Sequence, residues 1–211
     1  MGGEGYPRPP AGRTRVGIFG GTFDPFHVGH LVVAQDVLEA LTLDRVLFVP
    51  AASPPHKGDA VLAPAELRLR MVAQSVSGDP RFDAIDLELR RDGPSYTVDT
   101  LKELEATEPD AALHLLMGVD QWAAFGSWRE PGEIARRARI VVMTRNGERA
   151  SDVVGAAEAD AGSAWDVHDV PVTRIDLSST GIRTRVADGR SVRYLVPEPV
   201  RRIIETEKLY R

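Results

Sequence analysis

Two histidines near the start of the chain lie beside a glycine-rich loop. His27 and His30 are three residues apart, and Gly20 and Gly21 precede them at the end of a short apolar run. Phosphate binding needs backbone amides that can be approached closely, a helix N-terminus, and side chains that donate protons or positive charge. The segment 20–30 can supply all three, because residues at i and i+3 share one helix face. We therefore expect both imidazole rings to face a phosphate-bearing ligand.

The chemistry that suits this pair is transfer of a phosphate-containing group. An imidazole has an ordinary pKa of about 6.5 and becomes more basic beside a phosphate. His27 and His30 can then each donate hydrogen bonds and carry positive charge as negative charge builds in the transition state. No strong base is required where the attacking group is an ionised phosphate oxygen, so catalysis reduces to positioning and electrostatics.

A second phosphate-binding segment lies far along the chain, where residues 177–183 read Leu-Ser-Ser-Thr-Gly-Ile-Arg. Ser178, Ser179 or Thr180 can cap a helix whose free amides meet phosphate oxygens, and Arg183 adds a forked cation. We expect this segment to hold the leaving phosphate group.

These residues need a scaffold, and the apolar periodicity provides one. Strand-like runs occur at 16–19, 45–49, 82–89, 113–117, 140–143 and 165–172, and helical spacing occurs at 28–43, 65–75 and 98–106. Strands that alternate with helices predict an α/β fold with a doubly wound parallel sheet and helices on both faces. Ligands of such sheets bind where loops leave the carboxyl ends of the strands.

Composition limits the classes of protein that the chain can belong to. Its 211 residues are 43% hydrophobic and 27% charged, which is typical of a folded domain. A net charge of −5 disfavours nucleic acid as a partner, and the absence of cysteine excludes disulfides and thiolate ligands and suits the cytoplasm. We interpret residues 1–14 as a flexible arm and residues 15–211 as one domain, with no apolar run long enough for a membrane.

The motifs carry a family resemblance. Gly20-Gly21-Thr22-Phe23-Asp24-Pro25-Phe26-His27-Val28-Gly29-His30 resembles the signature of the His-x-Gly-His nucleotidyltransferase superfamily, and residues 177–183 resemble its Ser-Ser-Thr-x-Ile-Arg segment. Four further segments resemble those of the bacterial nicotinate-mononucleotide adenylyltransferases: Pro54-Pro55-His56-Lys57, Ser95-Tyr96-Thr97-x-Asp99-Thr100-Leu101, Gly118-Val119-Asp120 and Phe125-x-x-Trp128.

The resemblance implies a Rossmann-like sheet with a small C-terminal helical part, and a specific reaction. ATP and nicotinate mononucleotide would give nicotinate adenine dinucleotide and pyrophosphate, with Mg²⁺ carried by the nucleotide. It implies catalytic roles for His27, His30 and Arg183. It implies nucleotide contacts from Gly20, Gly21, Thr22, Phe23, Lys57, Ser179 and Thr180, and acceptor contacts from Tyr96, Thr97, Asp120 and Trp128.

Several alternatives stay open at this point. The acceptor could be nicotinamide mononucleotide or a cytidylyltransferase substrate, and a nucleotide-sensing module without turnover is a rival from another class. Arg129 follows Trp128 where many relatives carry a second aromatic residue, so ring stacking should be weaker or differently arranged. Asp120 could bind a ribose or cap a helix, His114 and His168 receive no role, and a homo-oligomer is compatible with the sequence.

The arginines toward the end of the chain suggest a basic patch at first sight. Acidic residues interleave with them, so a solvated face of mixed charge is expected rather than a nucleic-acid surface. The arginines are Arg183, Arg185, Arg190, Arg193, Arg201 and Arg202, and the acids are Asp188, Glu198, Glu205 and Glu207.

Overall fold

The computed structural model describes residues 12–53, 63–145, 150 and 165–211. Most of the predicted arm at 1–14, the loop that contains Lys57, and the Ala- and Gly-rich segment 147–163 apart from Ala150 lie outside the described residues. Within the described ranges, no helix combines the length and the apolar character needed to cross a membrane.

Six strands of the described chain form one parallel sheet in the order β3-β2-β1-β4-β5-β6. They are β1 (Thr14–Gly21), β2 (Arg45–Pro50), β3 (Phe82–Ala84), β4 (Ala111–Gly118), β5 (Arg139–Thr144) and β6 (Val167–Pro171). All carboxyl ends therefore meet at one edge. The order reverses at β1, which lies between β2 and β4, and in open α/β sheets ligands bind beyond such a point. The predicted parallel sheet is confirmed.

Helices cover both faces of this sheet because alternate residues of each strand point to opposite sides. On one face, Phe19 and Phe48 pack with α1 (Val28–Ala40), α2 (Ala65–Val76), α6 (Ser179–Ala187) and α7 (Glu198–Thr206). On the other face, Ile18 and Leu47 pack with α3 (Thr97–Thr107), α4 (Val119–Ala123) and α5 (Pro131–Arg137). The fold is thus a doubly wound, Rossmann-like α/β fold, and α7 forms the expected C-terminal helical part.

One predicted strand is wrong in its second half. The alternating run 82–89 continues as a strand only to Ala84, and Leu87–Arg90 forms a 3-10 helix. The chain turns because the carbonyl of Asp86 accepts hydrogen bonds from the amides of Leu89 and Arg90. Glu88 is buried there, and its carboxylate accepts a hydrogen bond of 2.7 Å from the Thr100 hydroxyl.

Three of the arginines near the end of the chain, Arg190, Arg201 and Arg202, form ion pairs with nearby acidic residues. Arg201 pairs with Glu198 and Glu205, and Arg190 pairs with Asp188. These ion pairs agree with a face of mixed charge, and the exclusion of nucleic acid stays a prediction.

A buried arginine in α2 joins three loops at the carboxyl edge of the sheet. The guanidinium of Arg68, which is 1% exposed, donates to the carbonyls of Thr22 at 2.7 Å, Ala63 at 3.0 Å and Ala52 at 3.2 Å. Burial lowers the pKa of Arg68, and the nearby Asp24 carboxylate partly offsets that effect. The loops after β1 and β2 are therefore fixed relative to α2 by one side chain.

Replacing Arg68 by methionine tests how much this side chain contributes to the free energy of unfolding. Arg68→Met removes all three donors and leaves buried carbonyls unsatisfied, so we expect a loss of about 3 kcal/mol in the free energy of unfolding. Urea denaturation measures it. Arg70→Met is the matched control on the same helix, because the Arg70–Glu207 pair is exposed and should contribute less than about 1 kcal/mol. Equal losses in both variants would contradict the assignment.

Candidate active site

The two imidazoles of the sequence motif are in contact. His27 and His30 stack with their ring centroids 3.7 Å apart, and His30 also stacks on Phe26 with a centroid distance of 5.1 Å. Phe23 meets the edge of His30 at 5.0 Å. The two rings therefore lie side by side, and aromatic neighbours fix the orientation of the His30 ring.

The hydrogen bonding of His30 determines which nitrogen carries its proton. The backbone amide of His27, the residue that precedes α1, donates to His30 Nδ1 at 3.1 Å. A nitrogen that accepts a hydrogen bond carries no proton, so the neutral ring is protonated at Nε2. The hydrogen bond at Nδ1 fixes the position of the Nε2 donor at the start of α1, in a ring that is half-buried.

His27 is neutral in the ligand-free protein. Its side chain is 6% exposed, and burial together with the positive charge of Arg145 lowers its pKa to about 4. Nδ1 of this ring is buried without a hydrogen-bond partner among the described residues, and it packs on Gly29, where a Cβ atom would approach to 3.0 Å. The positive charge expected on both rings is therefore absent from His27 before a ligand binds.

The two glycines that end β1 have different reasons to be glycine. A Cβ atom on Gly21 would lie 2.8 Å from the ring of Phe23, whereas one on Gly20 would meet nothing within 4 Å. Phe23 itself is 3% exposed and has φ +51°, a backbone conformation that non-glycine residues adopt only when their surroundings enforce it. Gly21 is thus required by packing, Gly20 borders open space, and Phe23 can offer a ligand only its backbone.

The second motif meets the first at the start of α6. Arg183 Nη1 donates to the backbone oxygen of Asp24 at 2.8 Å, and the Ser179 hydroxyl donates to that of Pro25 at 3.0 Å. Ser178 caps α6 by accepting from the amide of Gly181 at 3.1 Å. The Thr180 hydroxyl accepts from Arg183 Nη2 at 3.2 Å. Segments that lie far apart in the sequence therefore form one surface.

Three of the four residues expected to bind the acceptor, Tyr96, Thr97 and Trp128, lie in neighbouring segments. The guanidinium of Arg129 covers the ring of Tyr96 at 4.7 Å, so the Trp128–Arg129 segment lies against the start of α3, where Thr97 is the first residue. Trp128 is half-buried and packs on Phe125 at 5.5 Å. Arg129 thus covers one face of the Tyr96 ring, a contact that the sequence alone did not predict.

The loop after β2 lies between this group of residues and the histidines. Ser95 Oγ accepts from the backbone amide of Ala52 at 3.0 Å, and the amide of Ala51 donates to the carbonyl of Gly21 at 2.9 Å. Asp120 lies beyond β4 in the first turn of α4 with its side chain exposed. Gly118 occupies the N-cap of α4, so Asp120 is not the capping residue.

Three residues that hold the loops around the histidines received no role in the sequence analysis: Asp24, Arg68 and Tyr210. Asp24 is 2% exposed, and its Oδ1 accepts from the Tyr210 hydroxyl at 2.6 Å and from the backbone amide of Ala63 at 3.2 Å. Arg68 could have been noticed, because it occupies the same helical face as Met71 and Val72, where a cation is unusual. Tyr210 carries no comparable signal.

Comparison with protein families gives a match to the cytidylyltransferase-like family over residues 18–185. The chain is 43% identical over 198 residues to a probable nicotinate-nucleotide adenylyltransferase of Rubrobacter xylanophilus, covering 93% of this chain and 92% of that protein. It is 43% identical over 197 residues to a probable nicotinate-nucleotide adenylyltransferase of Thermus thermophilus, covering 93% of this chain and 100% of the other.

Solved structures show the same fold at low sequence identity. A Plasmodium falciparum nicotinic acid mononucleotide adenylyltransferase, solved in complex with NaAD, superposes with a TM-score of 0.75 at 16% identity, covering 93% of this chain and 97% of that one. A putative nicotinate-nucleotide adenylyltransferase from Vibrio parahaemolyticus gives a TM-score of 0.66 at 21% identity, with coverage of 94% and 96%.

The depressed pKa of His27 predicts how stability depends on pH. The unfolded chain binds a proton at this residue near its ordinary pKa of 6.5 and the folded chain only near 4, so stability should fall as pH drops through that window and then level off. The contribution is roughly 3 kcal/mol. His114, whose pKa burial also lowers to about 4, adds a similar effect. In urea denaturation at a series of pH values, His27→Gln should reduce by about half the loss of unfolding free energy that the two histidines cause. An unchanged pH dependence of stability would refute a buried, neutral His27.

The two glycines provide a second test. Gly21→Ala should lower the free energy of unfolding by about 1–3 kcal/mol because its methyl group meets the Phe23 ring. Gly20→Ala should change it by no more than about 0.5 kcal/mol. Thermal and urea denaturation of the paired variants decide, and a larger loss in Gly20→Ala would overturn the assignment.

Proposed function

Since the chain belongs to the cytidylyltransferase-like family, and within it to the nicotinate-nucleotide adenylyltransferases, we propose that it joins ATP and nicotinate mononucleotide into nicotinate adenine dinucleotide and pyrophosphate. The observation that carries the proposal is the meeting of the two motifs. Arg183 and Ser179 bind the backbone of the loop that leads to His27 and His30. One ligand bearing several phosphates can therefore contact both motifs.

The reaction needs no covalent intermediate with the protein. A phosphate oxygen of the acceptor attacks the α-phosphorus of ATP, the new P–O bond forms, and the bond to the bridging oxygen breaks as its electron pair leaves with pyrophosphate. The attacking oxygen is ionised at neutral pH, so no side chain has to remove a proton. The protein contributes alignment of the two phosphates and stabilisation of the charge that builds on them.

The site residues divide this work by their chemistry. His30, with its proton on Nε2, donates a hydrogen bond to the reacting phosphate from a ring that stacks on His27 and on Phe26. Arg183 adds a fixed positive charge on the side of α6, where pyrophosphate leaves, because two of its nitrogens are already anchored. A phosphate that approaches His27 counteracts the burial that keeps it neutral, and so raises its pKa.

The remaining site residues divide into those assigned to the nucleotide and those assigned to the acceptor. Gly20 and the backbone of Thr22 and Phe23 border the nucleotide. Lys57 lies outside the described residues, and its contact with the nucleotide stays a prediction. Ser179 and Thr180 act indirectly by holding the loop and the guanidinium. Tyr96, Thr97 and Trp128 form the pocket for the pyridine ring, and the exposed Asp120 is suited to a ribose hydroxyl.

Magnesium is assigned to the ATP substrate rather than to the protein. Mg²⁺ that arrives with ATP neutralises charge on the phosphate oxygens. We also propose that residues 15–211 form the catalytic domain and that the protein works in the cytoplasm, where a chain without cysteine needs no oxidising environment.

An acceptor assay tests the proposed function directly. Purified protein is incubated with Mg²⁺–ATP and either nicotinate mononucleotide or nicotinamide mononucleotide, and pyrophosphate release is followed. We expect reaction with the nicotinate form. Reaction with neither acceptor would reject the proposal, and preference for the amide would replace it with the sister activity. Tight ATP binding without turnover on any acceptor would favour a nucleotide-sensing module.

Removal of the His30 ring should abolish most of the activity. We expect His30→Ala to lower kcat by about a hundredfold or more, because a hydrogen bond to developing charge is lost. His168→Ala is the control, since His168 lies on β6 and pairs with Asp166. Turnover of His30→Ala within about threefold of the control would refute the role of His30.

A further inference from the structure

We infer that Tyr210 is a positioning residue for the loop that carries His27 and His30, and that it acts by holding Asp24 with its hydroxyl group. This inference rests on the proposed function for its effect on turnover. Its effect on the loop itself is independent of any reaction.

The contact joins distant parts of the chain inside the core. The Tyr210 hydroxyl donates to Asp24 Oδ1 at 2.6 Å across 186 residues of sequence. Tyr210 is 9% exposed and Asp24 is 2% exposed, so water does not offer either group a ready substitute. Burial raises the pKa of Tyr210 further above its ordinary value, and the Asp24 carboxylate adds to the effect, so the hydroxyl remains a donor at any working pH.

Asp24 connects this hydroxyl to the catalytic surface. Its side chain binds Tyr210, and its backbone oxygen accepts from Arg183 Nη1 at 2.8 Å. The next residue, Pro25, accepts from Ser179, and His27 follows two positions later. A shift of Asp24 therefore moves the anchor of Arg183 and the start of α1 together.

Two residues after α7 adopt strained backbone conformations in the segment that brings Tyr210 to Asp24. Lys208 has φ +53° and Tyr210 has φ +62°, both in the left-handed region that non-glycine residues avoid. The amide of Leu209 donates to the carbonyl of Ile204, so the chain turns back toward the core directly after the helix. Such conformations persist only where the surrounding contacts compensate for their strain. The hydrogen bond from Tyr210 to Asp24 is one such contact.

Tyr210 should affect turnover more than acceptor binding. The residues assigned to the acceptor, Tyr96 and Trp128, pack on the opposite face of the sheet from Tyr210. The loop at 22–30 instead carries the rings assigned to the reacting phosphates. A small displacement of groups that act on the transition state lowers kcat, while binding groups that do not move leave the acceptor KM unchanged.

The experiment compares Tyr210→Phe with Tyr194→Phe, which removes the same hydroxyl from a residue that is 84% exposed. In the ligand-free protein, hydrogen exchange measured by mass spectrometry should be faster in peptides covering residues 20–30 of Tyr210→Phe, with the central strands unchanged. Its kcat should fall about tenfold to a hundredfold, with the acceptor KM within about twofold. Tyr194→Phe should match the unmodified protein in all three measurements.

A second variant guards against a trivial loss of folding. Asp24→Asn keeps the shape of the side chain and weakens the same hydrogen bond, so it should shift loop exchange and kcat in the same direction. Combined with Tyr210→Phe, its effect should be less than additive, as expected when two residues act through one contact.

Specific outcomes would overturn the inference. Loop exchange and kcat of Tyr210→Phe that equal those of Tyr194→Phe would remove it, and so would faster exchange spread evenly over the sheet. Failure of the unmodified protein to react with any acceptor would reject the proposed function, while the exchange comparison would still decide whether Tyr210 holds the loop.

Discussion

The backbone between Thr22 and Val28 depends on hydrogen bonds from outside the loop. Polar groups that are buried without a partner are costly, and a loop that leaves a strand has no regular ladder to satisfy them. Here the partners come from α2 through Arg68, from α6 through Arg183 and Ser179, and from the link before α7, where the Leu195 carbonyl accepts from Val28. The shape of the loop is therefore a property of the whole fold.

The two histidines differ although their motif treats them alike. Stacking brings the rings to 3.7 Å, yet His27 is almost fully buried and neutral while His30 is half-buried and held in one tautomer by a backbone amide. Two cationic rings at this distance would repel each other, so a neutral partner lets the pair pack closely in the absence of a ligand. Positive charge at the site is then supplied first by the guanidinium groups of Arg183 and Arg145.

The sequence predicted the parts of the fold that depend on periodicity. Buried parallel strands such as β1 and β4 are largely apolar runs, which is the pattern that predicted them. Prediction from the sequence failed where tertiary contacts determine the local conformation. The run 82–89 alternates like a strand but turns at Asp86, and α4 and α5 are too short to show a clear helical period. The link from Asp24 to Tyr210 could not be predicted, since a hydrogen bond between two side chains leaves no pattern in a single sequence.

That link also sets an order of events during synthesis. Residues 20–30 leave the ribosome early, and β1 pairs with β2 soon afterwards, but its other neighbour in the sheet is β4, and Tyr210 emerges much later. Early segments of a growing chain can collapse before their distant partners exist. A nascent chain that ends before Tyr210 thus carries the segment 20–30 without the contact that fixes Asp24. The segment 20–30 therefore gains its last side-chain anchor only after translation has passed Tyr210.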